Sequence, residues 1–318
     1  MANLTFKPEF ILLGFSDVRE LQLVHAALFL LVYLVALMGN LLIIAIITLD
    51  MRLHTPMYFF LKNLSILDLC LISVTVPKSI INSLTDRRSI SFLGCGVQVF
   101  SVILFAGSEL FILTAMSYDR YVSICCPLRY EITMNREACK QMVAASWLTA
   151  GLFAVTSSAE MFSLPFCGFP VILQFFCDIP SVAKLSCSAP HIALDVIVVT
   201  GVSLGASSFI CILISYICIF SAVLRMPSTE GRTKAFSTCL PHLVVVTLFL
   251  FTGSVEHLKP PTASPSLLDL LVSMFYVVMP PTLNPLIYSL RNRDIKVAMR
   301  RVIGGTLFSK DRKFHLML

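Results

Sequence analysis

Residues Leu21–Thr48 read LQLVHAALFLLVYLVALMGNLLIIAIIT, with no Asp, Glu, Lys or Arg anywhere in the run. A stretch this long and apolar reads as a membrane-spanning helix, because about 20 residues rising about 1.5 Å each cross a hydrocarbon layer of about 30 Å. Six further runs follow, near Met57–Leu84, Gly94–Ile124, Met142–Phe162, Ile192–Leu224, Ala235–Leu258 and Leu267–Leu290. Strands of a membrane barrel, about 10 alternating residues each, do not match runs of this kind. Composition agrees: 57% of the 318 residues are hydrophobic, 13% are charged, and the mean hydropathy is +0.87. Soluble domains carry about 25% charged residues, so an ordinary water-soluble enzyme is excluded. The expected fold is an all-α membrane protein, a seven-helix bundle over residues 21–290. An outer N-terminal segment (1–20) and an inner tail (291–318) flank it, and the connecting segments are too short to form another domain.

Orientation follows from the basic residues in the short links, which favour the cytoplasmic side. With the N-terminus outside, 17 of the 24 Lys and Arg fall at the inner face, Arg52, Arg129, Arg225 and the tail among them, and seven fall outside. The net charge of +6 is therefore a membrane-surface feature directed at lipid, and nucleic acid is not expected as a partner. Residues 1–20 lack a basic start and an apolar core, so no cleaved leader is expected and the first span serves as the targeting signal. The sequon Asn3-Leu4-Thr5 falls outside and is a glycan acceptor, whereas Asn63-Leu64-Ser65 lies within a span.

Eleven cysteines divide along the same axis. Cys95, Cys167, Cys177 and Cys187 lie on the outer, oxidising face, where four thiols permit three pairings. The other seven sit in spans or at the inner face, where packing is the default role.

Ionisable groups inside a membrane are costly unless partnered, and they mark function. Asp68 lies mid-way along the second span and Glu109 along the third, with Asn40 in the first and Asn284 in the seventh. Four hard oxygen-bearing side chains suit a sodium ion better than a transition metal, and a hydrogen-bonded network with one protonated carboxyl is the alternative. No other cofactor is expected. Val102, Glu109 and Arg120 are 7 and 11 residues apart, close to whole helical turns, and so share one face of the third span. That face looks into the bundle and ends inside at Asp119-Arg120-Tyr121. Pro241 and Pro285 each remove a backbone donor and allow a bend, and His242 beside the former reads as a hydrogen-bonded structural group. No HExxH, no GxSxG and no glycine-rich phosphate loop is present, so no catalytic set emerges.

The residues resemble a known family: the rhodopsin-like G-protein-coupled receptors, and within them the vertebrate olfactory receptors. The resemblance rests on Gly39-Asn40, LHTPMYFFLKNLSILDLC (Leu53–Cys70), MSYDRYVSICCPLRY (Met116–Tyr130), Ser215-Tyr216, KAFSTCLPHL (Lys234–Leu243) and PPTLNPLIYSLRN (Pro280–Asn292), in order and across most of the chain. It implies that Asp119, Arg120 and Tyr121 hold the inactive state, with Arg120 released toward a G protein on activation. Tyr216 and Tyr288 resemble the tyrosines that rearrange beside it, Asn284-Pro285 the seventh-helix hinge, and Asp68 with Glu109 a sodium site. Cys95–Cys177 resembles the superfamily's disulfide and Cys167–Cys187 the additional olfactory bridge. Arg291–Arg301 is similar to a short amphipathic eighth helix, with Ile295, Val297, Ala298 and Val302 for the membrane side. The chain departs from the family at Ser117, Ser123, Pro241 and Leu250, the last replacing a common tyrosine at the cavity floor. No cysteine follows Cys239, so an acyl anchor after the eighth helix is not expected.

By the same resemblance the ligand pocket lies in the outer half of the bundle. Its expected lining is Val102, Ile103, Ala106 and Gly107, then Thr200, Ser203 and Leu204, then Leu250, Gly253, Ser254 and His257, with Met274 and Val278 closing it. Small and apolar side chains with few hydroxyls suit a volatile, mainly apolar odorant, and Glu256 with His257 reads as a solvated rim. The implied partner is a heterotrimeric G protein of the stimulatory olfactory type, raising cyclic AMP, at the plasma membrane of sensory cilia. Two competing readings are a rhodopsin-like receptor for a non-odorant ligand and a transporter relaying protons through Asp68, Glu109 and His242. The transporter would require inverted repeats, which the sequence does not display.

Overall fold

A computed structural model of the chain describes residues 9–13, 18–85, 87–166, 171–186, 192–225, 227–258, 267–292 and 294–301. The apolar runs form α1 (Arg19–Leu49), α2 (Pro56–Thr85), α3 (Phe92–Cys125), α4 (Arg136–Phe162), α5 (Ile192–Leu224), α6 (Thr229–Leu258) and α7 (Leu267–Arg291). Among the described residues these seven helices are long and apolar enough to cross a membrane. A last helix, α8, covers residues 294–301.

Helix α4 starts six residues before its apolar run because a helix ends where its caps are, not where hydrophobicity ends. Asn135 caps it by accepting from the Ala138 N–H at 2.9 Å. Ser91 caps α3 likewise, accepting from Gly94 at 3.1 Å. Ahead of α8, Asn292 accepts from the Asp294 and Ile295 N–H groups. Ile295 and Ala298, one turn apart, are buried in the same apolar core as Ile43 and Phe60. These two residues, expected on the membrane side, face the bundle instead, whereas Val297 is exposed and Val302 lies outside the described residues.

The outer end carries a feature with no counterpart in the helical reading. Strand β1 (Glu9–Leu12) lies between β2 (Ser89–Ser91), antiparallel to it, and β3 (Val171–Ile172), parallel to it. Four residues alternating exposed and buried are enough to place Phe10 and Leu12 on the inner side. Phe10 packs with Phe92 and Phe166, and Phe92 packs edge-on to Phe162 at 5.1 Å. The N-terminal segment is thereby seated over α3 and α4. Below it the Cys95–Cys177 disulfide joins the long outer loop to α3. Gln98 reinforces that junction, accepting from the Cys177 N–H and donating to the Val74 carbonyl of α2, both at 2.8 Å.

Helices α1 and α7 meet through a complementary pair of defects. Pro285 has no N–H, so within a helix the carbonyl four residues earlier, at Pro281, loses its donor. Asn40 of α1 supplies one: its Nδ2 donates to Pro281 O at 2.8 Å and to its own Ala36 O at 3.0 Å. Gly39 permits the approach, since a Cβ there would lie 2.9 Å from Pro285 Cβ. Gly39→Ala is therefore expected to cost about 1–3 kcal/mol through overpacking and to lower both surface expression and the detergent melting temperature. Gly205→Ala in α5, where a new Cβ meets nothing within 4 Å, should leave both measurements unchanged.

Candidate functional site

Three polar layers sit along the bundle axis. In the middle, Asp68 of α2, Glu109 of α3 and Asn284 of α7 are all buried. Asn284 Nδ2 donates toward Asp68 Oδ1 (3.2 Å), Asp68 Oδ2 (3.1 Å) and Glu109 Oε1 (3.1 Å). One amide group thus serves two carboxyls from two other helices. Glu109 Oε2, Asn284 Oδ1 and Asn40 Oδ1 remain without a hydrogen-bond partner, as does the hydroxyl of fully buried Tyr288. Asn40, expected beside the carboxyls, donates instead to the Ala36 and Pro281 carbonyls.

One layer inward, His242 of α6 bridges three helices. Its Nε2 lies 3.0 Å from the Leu113 carbonyl of α3, which only accepts, so Nε2 carries the proton. Nδ1 then accepts from the Tyr216 hydroxyl of α5 at 2.6 Å. The structural reading of His242 thus acquires partners on both sides.

At the inner end, Arg120 Nε donates to Asp119 Oδ2 at 3.0 Å and Arg120 Nη2 contacts the same oxygen. The other oxygen, Oδ1, accepts from the Tyr130 hydroxyl at 2.8 Å. Tyr130 opens the turn between α3 and α4. Burial and the neighbouring Asp119 carboxylate push its hydroxyl above the usual value, so it stays a donor. Asp119 is fully buried and the Arg120 side chain is 13% exposed. Such a pair is costly to break one-sidedly, because the remaining charge is left uncompensated.

The residues expected to line a pocket separate into groups. Val102, Val278 and Met274 share one apolar cluster, to which the outer loop adds Phe175 and Phe176. Ile103 packs under β1 with Val99 and Phe153, while Ala106 and Leu250 belong to the inner cluster. Gly107 faces α4, where a Cβ would stand 3.2 Å from Ala150 Cβ. Thr200 and Ser203 are exposed, Ser203 donating to its own Val199 carbonyl, and Leu204 is half-buried. Gly253 lies near the Tyr276 ring and Ser254 is exposed. The His257 side chain, Asn3, Cys167 and Cys187 lie outside the described residues.

A family profile described as "Olfactory receptor" matches residues 29–305. Human olfactory receptor 14A2 is 54% identical over 306 residues, covering 96% of this chain and 98% of that protein. Human olfactory receptor 14A16 is 56% identical, covering 98% and 100%. The chain belongs to the olfactory receptor family. The fold is also that of squid rhodopsin, at a TM-score of 0.74 and 18% identity over 95% of this chain and 92% of that one.

This olfactory receptor is thus a non-enzymatic, multi-pass membrane protein with the rhodopsin fold, of a family typically at the plasma membrane. Sequence reading had given Tyr130 no role, although it closes the quoted Met116–Tyr130 motif. Its partnership with Asp119 spans 11 residues across a turn, so helical periodicity carries no sign of it. Gln98 and Tyr58 were missed as well. Tyr58 at the base of α2 lies 3.2 Å from Asn292 Oδ1 and 3.0 Å from Asp294 Oδ2, tying α8 to the bundle. A polar residue within an apolar run is the only signal that would have singled them out.

Proposed function

We propose that this receptor holds a small, mainly apolar volatile in the outer half of the bundle and activates a heterotrimeric G protein of the stimulatory olfactory type, raising cyclic AMP. The observation that carries the reading is the His242 bridge, which ties α3, α5 and α6 one layer from the Asp119–Arg120 pair. A ligand shifts such a bundle only by its differential affinity for the two states. Val102, Met274 and Val278, with the loop residues Phe175 and Phe176, supply an apolar contact surface for it. Ala106, Leu250, Leu204, Gly253 and Ser254 would shape its lower and lateral edges. Asp119, Arg120, Tyr121, Tyr216, His242, Asn284, Pro285 and Tyr288 would convert occupancy into opening at the inner face.

Asp68, Glu109 and Asn284 would hold a sodium ion, which would supply positive charge between two buried carboxyls. The unpartnered acceptors Glu109 Oε2 and Asn284 Oδ1 suit that role, and Asn40 Oδ1 is a further unpartnered acceptor. Cys167–Cys187 would form a second outer bridge, supported by the β-bridge pairing their neighbours Phe166 and Ser186. Asn3 would carry a glycan.

The test is cyclic AMP in cells displaying the receptor, across a panel of small apolar volatiles, beside Met274→Ala and Val102→Phe. At least one volatile should raise cyclic AMP. Both variants should weaken its potency about tenfold or more, equivalent to about 1.4 kcal/mol, with surface display intact. Normal display with no response across the panel overturns the volatile-ligand reading.

A further inference from the structure

A cavity of about 630 Å³ lies outside all three polar layers, between α3, α4 and α5 in the Arg120 half of the bundle. Its volume is that of a small-molecule site. On α3 it runs from Phe111 to Tyr121, ten residues or about 15 Å, which is the depth of one leaflet of a hydrocarbon layer about 30 Å thick. The floor is buried Ser117, Ser146 and Ser215, whereas Ala145, Thr149 and Ile214 are exposed at its edge. In a seven-span bundle that edge faces acyl chains, so an occupant enters sideways from the bilayer.

The chemistry of the lining narrows the occupant. Its surface is mostly carbon, and among the described residues no Lys, Arg, Asp or Glu contributes to it. The floor hydroxyls of Ser117 and Ser146 are spent on their own helices, donating to Thr114 O at 2.7 Å and Met142 O at 2.8 Å. Hydroxyls satisfied in this way can be covered by an apolar body at little cost. At the inner rim stand the phenols of Tyr118 and Tyr121, each able to give and accept one hydrogen bond. A phosphate headgroup finds no cation here, and a flexible acyl chain loses more freedom on binding than a rigid body does. We infer that the α3–α4–α5 cavity is a binding site for a membrane sterol, its ring system against the serine floor and its single hydroxyl at the Tyr118–Tyr121 rim. Ser215 lines the cavity beside Tyr216, so a bound sterol braces the helix that holds the His242 bridge.

The experiment is photolabelling of the full-length receptor in phospholipid nanodiscs with a diazirine-bearing cholesterol analogue, followed by peptide mapping. Adducts are expected on the peptides holding Phe111–Tyr121, Met142–Thr149 or Cys211–Cys218. Excess cholesterol should compete them and excess phospholipid should not. Ala145→Trp, at the exposed mouth, should lower this labelling fivefold or more. Leu148→Trp, an exposed α4 residue outside the cavity lining, should not, which separates occupancy of the cavity from a general change of the α4 surface. Adducts confined to other helices, unchanged labelling in Ala145→Trp, or equal competition by phospholipid would each overturn the sterol site. Volatile responses play no part in the readout, so the outcome is independent of the ligand proposed above.

Discussion

Arg120→Ala is expected to abolish volatile-driven cyclic AMP per displayed receptor and to lower display, since it leaves Asp119 buried without its cation, and Asp119→Asn is expected to do the reverse for signalling, raising cyclic AMP without ligand. The asymmetry comes from the inner lock. Asp119 receives two contacts from Arg120 and a third from Tyr130, and in the proposed mechanism all three are made in the closed state and given up on opening. Removing the carboxylate charge leaves Arg120 short of its partner in a nearly buried setting, and opening toward the aqueous face relieves that cost. A differential of about 1–3 kcal/mol between closed and open states corresponds to about a 5- to 150-fold shift in population. Tyr130→Phe removes only the third contact and should give a smaller rise of the same sign. Basal and stimulated cyclic AMP, normalised to surface receptor, provide the readout. Low basal activity in both Asp119→Asn and Tyr130→Phe, with normal display, would mean that the lock does not restrain the receptor.

Asn284→Ala is expected to have the largest effect on folding. Among the described residues the Asn284 amide alone donates to Asp68 and Glu109, two buried carboxyls contributed by different helices. Deleting it strands both, and each buried unsatisfied group costs about 1–3 kcal/mol, more when charged. The sum rivals the whole stability of a marginal fold. Surface display should fall close to background. Asp68→Asn removes one charge, keeps the size and leaves Glu109 its donor, so display should largely survive. Equal display of Asn284→Ala and the parent receptor would show that the carboxyls find other partners.

The helical fold was legible because apolar runs of membrane length admit few alternatives, and the mid-membrane cluster was legible because carboxyls there demand partners. Asp68, Glu109 and Asn284 were found by that rule and do meet. Asn40 obeyed the same rule but serves a proline-made vacancy four residues from Pro285, a relationship visible only once α1 and α7 are adjacent. Gly107 shows the limit of spacing arguments: it lies between residues assigned to a pocket, yet its open side is filled by α4. The β1 strand, four residues long, carried too little pattern to compete with a loop reading, and its partners lie about 80 and 160 positions away.

The Asn40–Pro281 hydrogen bond also bears on how the receptor is made. Helix α7 is synthesised after α1, and Pro285 sends it into lipid with a carbonyl that its own backbone cannot satisfy. The missing donor waits on α1. The bond therefore forms only once α1 and α7, about 240 residues apart in sequence, have come together. Until the two helices meet, the Pro281 carbonyl lacks a backbone donor in a medium that offers no water in its place, so the α1–α7 contact is favoured by the bilayer itself.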